Sequence, residues 1–95
     1  MKLLATEEID ARLAALPGWR RTGDALERTF EQGNFAGALR LVNAVGVAAD
    51  ELYHHPDVAI SWGTVVFTLS THSAGGVTEL DFALAARIDQ LAGSG

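Results

Sequence analysis

A long helical segment at the centre of the chain, flanked on each side by a β-hairpin pattern, constrains the fold most. Asn34 is a typical N-cap residue, and Pro56 prevents the helix from continuing past it. Between these residues apolar side chains recur at helical spacing: Phe35, Leu39, Val42, Val45, Ala49 and Leu52. Gly37 and Gly46 lie inside this helix, where each costs roughly 1 kcal/mol relative to Ala. Each glycine therefore either indicates close packing against a neighbouring element or is merely tolerated.

Before the central helix, the sequence predicts a short helix and a first hairpin. Thr6 supplies an N-cap, and Pro17 and Gly18 end this helix, whose apolar residues are Ile9, Leu13 and Leu16. The hairpin joins residues 19–21 to residues 25–31 through a polar turn. One face of its second strand carries Leu26, Arg28 and Phe30, so the alternation of apolar and polar residues is imperfect.

After the central helix, the sequence predicts a second hairpin and a third helix. This hairpin joins residues 57–61 to residues 64–71 through a two-residue turn, and its apolar face consists of Val65, Phe67 and Leu69. Thr78 and Asp81 have the spacing of a capping box, with Asp in place of the usual Glu or Gln. The apolar side of the helix that they open consists of Leu80, Leu84, Ile88 and Leu91.

The order of these elements predicts the fold class. An α-β-β-α-β-β-α order with two separate hairpins favours a four-stranded antiparallel sheet with three helices on one face, which is an α+β domain. A chain of 95 residues and 10.0 kDa has room for one domain, over residues 1–95, with loose tails at 1–5 and 93–95. So small a core makes self-association, as a homodimer or homotetramer, a reasonable expectation.

Composition excludes several classes of function. The chain has no cysteine, so disulfides, thiolate nucleophiles and cysteine-based metal sites are excluded. Seven scattered basic residues and a net charge of −5 argue against nucleic-acid binding. The longest apolar run, at residues 60–69, is far short of the ~20 residues of a membrane span. The first residues are too short and too acidic for a signal peptide, so we expect a cytoplasmic protein without a membrane partner.

The three histidines carry the main chemical information. His54, His55 and His72 all fall between the end of the central helix and the end of the last strand. Asp50 precedes His54 by four residues, so on one helix face its carboxylate would orient that imidazole. Such a pair is suited to general acid–base catalysis near neutral pH. The alternative is structural, with His54 and His55 capping a helix end and His72 solvated in a loop.

Other candidate residues also have two interpretations. Asp81 is either a helix-capping carboxylate or a site residue, and Trp62 either packs on the core or stacks on a flat ligand. Three imidazoles and a carboxylate are candidate metal ligands, but the adjacent His54 and His55 would diverge on a helix, so we expect no metal site. The sequence contains neither a GxSxG elbow nor a glycine-rich nucleotide loop.

Two segments, DELYHHPDVAISW and TLSTHSAGGVTELD, resemble the pterin-4a-carbinolamine dehydratase family. Residue type and spacing both match at Asp50, His54, His55, Pro56, Trp62, His72 and Asp81. The resemblance extends to LPGW at residues 16–19, to Phe30 and Phe35, and to LAARID at residues 84–89, so it covers nearly the whole chain. Asp50 departs from the pattern, because the family usually has the longer Glu there.

The resemblance implies the same α-β-β-α-β-β-α fold and an enzyme of the hydro-lyase class. Its reaction removes water from a 4a-hydroxytetrahydropterin and gives the quinonoid dihydropterin, in the recycling of tetrahydrobiopterin after an aromatic amino acid hydroxylase, with no metal or organic cofactor. The catalytic set that it implies consists of Asp50, His54, His55 and His72, and the substrate-binding set of His55, Trp62 and Asp81. We hypothesise that His54 and His72 exchange the protons, that Asp50 orients His54 and that His55 binds the pterin.

Two alternative functions are consistent with the same resemblance. Some family members act as dimerisation partners of a transcription factor, so a non-catalytic pterin-binding or co-regulator protein is one alternative. The other is a dehydratase-like enzyme for another pterin, such as a molybdopterin-related species. Pterin binding distinguishes an enzyme or binding protein from a module that acts only through protein contacts.

Overall fold

A computed structural model describes residues 1–93 and contains the seven predicted elements in the predicted order. They are α1 (Thr6–Leu13), β1 (Arg20–Thr22), β2 (Ala25–Glu31), α2 (Phe35–Leu52), β3 (Asp57–Ser61), β4 (Thr64–Leu69) and α3 (Glu79–Gly93). A single 3-10 turn at His72–Ala74 follows β4. The four strands form one antiparallel sheet in the order β1-β2-β4-β3, so the two hairpins meet through β2 and β4 at its centre.

One face of the sheet forms the core. Leu26 of β2 and Val65, Phe67 and Leu69 of β4 are fully buried, which confirms the predicted apolar faces. Leu84 and Ile88 of α3 are equally buried, and α2 and α3 pack against each other. The residues that alternate with these along β4 are half-buried, so the opposite face of the sheet is only partly covered; they are Thr64, Val66 and Thr68.

The apolar stripe of α2 differs in part from the prediction. Val45 and Ala49 are buried, but Phe35 is 47% exposed and Leu39 is 37% exposed. The buried face of the helix lies further round its axis and consists of Gly37, Ala38, Leu41, Val45, Ala48 and Ala49. The prediction gave weight to side-chain size, whereas four of these six buried residues are Gly or Ala.

The beginning of α2 explains one of its two glycines. The Asn34 side chain accepts a 2.8 Å hydrogen bond from Gly37 N, which confirms the predicted N-cap. A Cβ on Gly37 would lie 2.5 Å from the Gln32 carbonyl oxygen, whereas a Cβ on Gly46 would meet nothing within 4 Å. Close packing therefore accounts for Gly37, and nothing in the structure requires Gly46.

The ends of the chain correct two smaller expectations. Ala5, and not Thr6, is the N-cap of α1, and it makes no side-chain capping bond. Leu4 is buried and its N–H donates to the Val77 carbonyl over 2.9 Å, so the predicted loose tail at 1–5 is partly folded. Of the predicted tail at 93–95, Gly93 ends α3 and the last two residues lie outside the described part. Within residues 1–93, no helix is both long enough and apolar enough to cross a membrane.

Candidate active site

The chain leaves α2 immediately before the histidine pair. Tyr53 follows the helix in the left-handed conformation, with φ 51°, and His54 N donates to the Ala49 carbonyl over 3.0 Å. Such a left-handed residue is a common way to end a helix. His54 and His55 consequently lie on the segment that leads into β3. The prediction that Asp50 and His54 share one helix face was therefore wrong.

On its buried side, the His54 ring contacts Asp81. The Nε2 atom of His54 lies 2.5 Å from Oδ1 of Asp81, and the two side chains are 10% and 0% exposed. Asp81 belongs to the first turn of α3, so this contact joins the segment after α2 to the start of another helix. Hydrogen bonds to a carboxylate are stronger than those between neutral groups, and burial strengthens them further. Asp81 thus fixes the position of the imidazole.

The second carboxylate oxygen of Asp81 completes the predicted capping box. Oδ2 accepts a 2.9 Å hydrogen bond from Thr78 N and a 2.8 Å hydrogen bond from Thr71 Oγ1. The Thr78 hydroxyl in turn accepts from Leu80 N over 3.2 Å. Asp81 is therefore a helix cap and the partner of His54 at once, and it lies behind the imidazole rather than at the surface.

Asp50 pairs with the other histidine. Its Oδ1 lies 2.8 Å from Nε2 of His55, and both side chains are largely exposed, at 80% and 63%. The expectation that Asp50 orients His54 is corrected by this contact and by that of Asp81. A contact so open to water stabilises a protein little.

The pairing of β3 with β4 brings His72 to the same end of the sheet. Asp57 lies opposite Thr68, so β3 begins where β4 ends. The residues before β3, such as His54, therefore lie at the same end of the sheet as those after β4, such as Thr71. His72 follows Thr71 directly and is exposed in the 3-10 turn. It lines a cavity of about 330 Å³ together with Asp24, Ala25, Asp57, Thr68, Ser70 and Gly75. This volume is at the lower end of the range for small-molecule sites.

Trp62 is not part of this cluster. It lies in the turn at the opposite end of β3, is 71% exposed and has a positive φ of 53°. A strand rises about 3.3 Å per residue, so roughly 20 Å of backbone separates Trp62 from His55. Within one copy of the chain, Trp62 therefore lies at the other end of β3 from His55.

Sequence reasoning missed the part that Thr71 has in the site. Its hydroxyl lies 2.8 Å from the Thr78 hydroxyl as well as from Asp81. The predicted hairpin contained part of the signal. A turn at residues 62–63 brings position 71 to the same end of the hairpin as the residues before position 57. Within residues 1–93, no group of three or more His, Cys, Asp or Glu side chains is arranged to hold a metal ion.

Comparison with known proteins identifies a family. The family model described as pterin 4 alpha carbinolamine dehydratase matches residues 2–91. A relative from Nocardia farcinica, which carries that enzyme's name provisionally, is 50% identical over 91 residues, or 96% of each chain. Another with the same provisional name, from Thermosynechococcus vestitus, is 45% identical and covers 94% of each chain.

Two solved structures are similar to the fold. The Brucella melitensis protein described as a transcriptional coactivator/pterin dehydratase superposes with a TM-score of 0.90 at 34% identity, covering 94% of this chain and 97% of that one. A pterin dehydratase-like protein described as a RuBisCO assembly factor in the alpha-carboxysome has a TM-score of 0.68 at 31% identity. That comparison covers 82% of this chain and 93% of the other.

Proposed function

The chain belongs to the pterin-4-alpha-carbinolamine dehydratase family, and on that premise we propose that it removes water from a 4a-hydroxytetrahydropterin to give the quinonoid dihydropterin. The observation that carries this proposal is that Asp81 and the β3–β4 register bring His54 and His72 to one end of the sheet. The elimination needs one proton for the leaving 4a-hydroxyl and the removal of another from ring N5. Two imidazoles that reach the same ligand are sufficient for both transfers.

The contacts support a division of labour among the histidines. His54, fixed by Asp81, and His72, which lines the 330 Å³ cavity, exchange the two protons. His55 and Asp50 form an exposed pair beside them and bind the pterin. Asp81 is a positioning residue, because it is fully buried and acts through His54. In this arrangement His55→Ala raises KM with a smaller effect on kcat.

The test is the rate of quinonoid dihydropterin formation from enzymatically generated 4a-hydroxytetrahydropterin. The wild-type protein and a His54→Ala, His72→Ala double variant are compared with a buffer blank. Acceleration by the wild type alone supports the dehydratase and its proton chemistry at these histidines. Equal rates in all three samples would overturn it, and a pterin-binding assay would then separate an enzyme for another pterin from a binding protein.

The descriptions of the two solved neighbours, one a coactivator and the other an assembly factor, favour a second proposal, that the chain acts through association. Several large apolar side chains are exposed on α2 and β3: Phe35 at 47%, Leu39 at 37%, Val47 at 63% and Val58 at 40%. Exposed apolar surface of this kind is suited to contact with another protein surface, here a second copy of the chain. Light scattering at micromolar concentration measures the stoichiometry, and a monomeric mass would contradict self-association.

A further inference from the structure

Every contact of the Asp81 carboxylate brings it a proton donor. His54 Nε2 lies 2.5 Å from Oδ1, while Thr71 Oγ1 and Thr78 N lie 2.8 and 2.9 Å from Oδ2. An ionised carboxylate only accepts hydrogen bonds, and the Thr78 N–H can only donate. The short contact to His54 is satisfied when Nε2 carries a proton. This holds for both the neutral ring and the imidazolium.

The hydroxyl groups around Asp81 have one consistent orientation. Leu80 N donates to Thr78 Oγ1 over 3.2 Å, and the hydroxyls of Thr78 and Thr71 are 2.8 Å apart. A hydroxyl has a single proton. Because the Thr71 proton is directed to Asp81, the proton between the two hydroxyls comes from Thr78. The hydroxyl protons of Thr78 and Thr71 therefore form a chain of hydrogen bonds that ends on Oδ2.

The other ring nitrogen of His54 faces outward. Nδ1 makes no hydrogen bond in the described structure, and within residues 1–93 no buried side-chain nitrogen or oxygen is left without a partner. Nδ1 must therefore reach solvent, in agreement with the 10% exposure of the side chain. It is the atom through which a ligand can contact His54.

We propose that Asp81 sets the tautomer of His54 and that Thr71 and Thr78 are positioning residues, which hold the Asp81 side chain in the orientation that does so. Their two bonds to Oδ2 turn the carboxylate so that Oδ1 takes the proton on Nε2, which leaves Nδ1 unprotonated and directed outward in the neutral ring. This inference rests on the proposed function only in giving the tautomer a part in turnover. The tautomer itself follows from the contacts and is measurable without substrate.

A substitution at Asp81 makes the proposal specific. In Asp81→Asn, the side-chain amide has one acceptor and one donor end. Thr71 and Thr78 both donate toward the former Oδ2 position, so they hold the amide oxygen there. The NH₂ group then faces His54 Nε2, which must become an acceptor. The neutral ring accordingly changes to the tautomer with its proton on Nδ1.

The first measurement is a long-range ¹H–¹⁵N NMR spectrum of the wild-type histidines above the pH at which they lose their charge. A protonated ring nitrogen and a bare one have well-separated ¹⁵N shifts, and His54 is assigned by comparison with His54→Gln. We expect a proton on Nε2 and a bare Nδ1. The opposite tautomer in the wild-type protein would overturn the proposal, and this measurement does not depend on the folding of the other variants.

The variants then test the two threonines. Asp81→Asn should switch His54 to the Nδ1–H form. Thr71→Val, which keeps the shape but loses the donor, should keep the Nε2–H form, because the carboxylate still only accepts. The Asp81→Asn, Thr71→Val double variant should populate both tautomers, because the amide loses one of the two donors that hold it. Thr71→Ser in the Asp81→Asn background should keep the Nδ1–H form, and Thr29→Val on the exposed side of β2 is the matched control. A folded Asp81→Asn protein that keeps the Nε2–H form, or a folded double variant with the same spectrum as Asp81→Asn, would contradict the proposal.

Kinetics connect the orientation of Asp81 to turnover. We expect kcat to fall by roughly 10–100-fold in Thr71→Val with a smaller change in KM, as for hydrogen-bond partners behind metal-binding histidines. Thr71→Ser should recover most of the loss. A merely structural threonine would lower stability without changing the ¹⁵N shifts of the Asp81→Asn protein. If the wild type lacks dehydratase activity but shows the expected tautomers, the proposed function fails and the positioning role stands.

Discussion

Two acidic residues of α3 have opposite kinds of partner. Asp81, in the first turn, is fully buried and holds the imidazole of His54. Asp89, two turns later, is 23% exposed at its side chain and accepts from Trp19 Nε1 over 2.8 Å and from Arg28 Nη1 over 2.9 Å. Arginine keeps its charge at any pH at which proteins fold. On the same helix, one carboxylate thus binds a histidine, which can lose its proton, and another binds an arginine, which stays charged.

The Asp89 cluster, defined as Trp19, Arg28 and Asp89, explains an irregularity in the first hairpin. Arg28 lies on the same strand face as Leu26 and Phe30, and its guanidinium is 4.5 Å from the centre of the Phe30 ring. A side chain at Gly18 would displace that guanidinium. The LPGW and LAARID segments are therefore joined by the hydrogen bond from Trp19 to Asp89, which has a structural role. His54 belongs to a second group, the Asp81 cluster, defined as His54, Thr71, Thr78 and Asp81.

The strongest test of this difference is activity. His54→Ala and His72→Ala should each lower kcat by about 10²–10⁴-fold, the usual contribution of general acid–base catalysis. Arg28→Lys keeps the charge at the Asp89 cluster and should leave kcat unchanged. The measurement is steady-state dehydration of 4a-hydroxytetrahydropterin. A fall in kcat for Arg28→Lys equal to that of the histidine variants would remove the distinction between the two clusters.

Stability should also separate the two carboxylates. Asp81→Ala leaves His54 Nε2, the Thr71 hydroxyl and Thr78 N without their buried acceptor, so we expect it to lower the free energy of unfolding by roughly 3–5 kcal/mol. Water reaches part of the Asp89 cluster, so Asp89→Ala should cost about 1–2 kcal/mol. Urea unfolding of both variants and the wild type measures these losses. Equal losses would mean that burial does not set the cost.

The sequence predicted the elements better than the contacts between them. The periodicity of strands and helices was sufficient to predict the order of the elements, because Asn34 and Pro56 mark the two ends of α2. The partner of His54 was not predictable from spacing along α2, because the left-handed Tyr53 takes the chain off the helix. Asp81 is 27 residues away, and only the packing of α3 brings it to His54. Local spacing favoured Asp50 because long-range contacts leave no periodic pattern.

One residue with an unfavourable backbone conformation lies next to the Asp81 cluster. Within residues 1–93, Tyr53 and Trp62 are the non-glycine residues with positive φ, and Tyr53 directly precedes His54. Asparagine adopts this conformation more easily than an aromatic residue. Tyr53→Asn and Trp62→Asn should therefore each stabilise the protein by about 0.5–1 kcal/mol, measured by urea unfolding. Val47→Asn, an exposed helical position, is the control that should show no gain. No gain at Tyr53 would mean that its conformation is unstrained.

The smallest effect concerns a third acidic residue of α3. Glu79 is exposed and pairs with Arg12 of α1 at 2.6 Å, and these hydrogen bonds hold the pKa of Glu79 below its ordinary value of 4.5. A carboxyl with a lowered folded pKa stabilises the protein above the unfolded value and loses that contribution as the pH falls through the folded one. Glu79→Gln should thus lower Tm slightly at neutral pH. The difference from wild type should shrink below about pH 4.5 and with added salt. A loss in Tm as large as that of Asp81→Ala would show that ion pairing, rather than burial, determines what a carboxylate on this helix contributes.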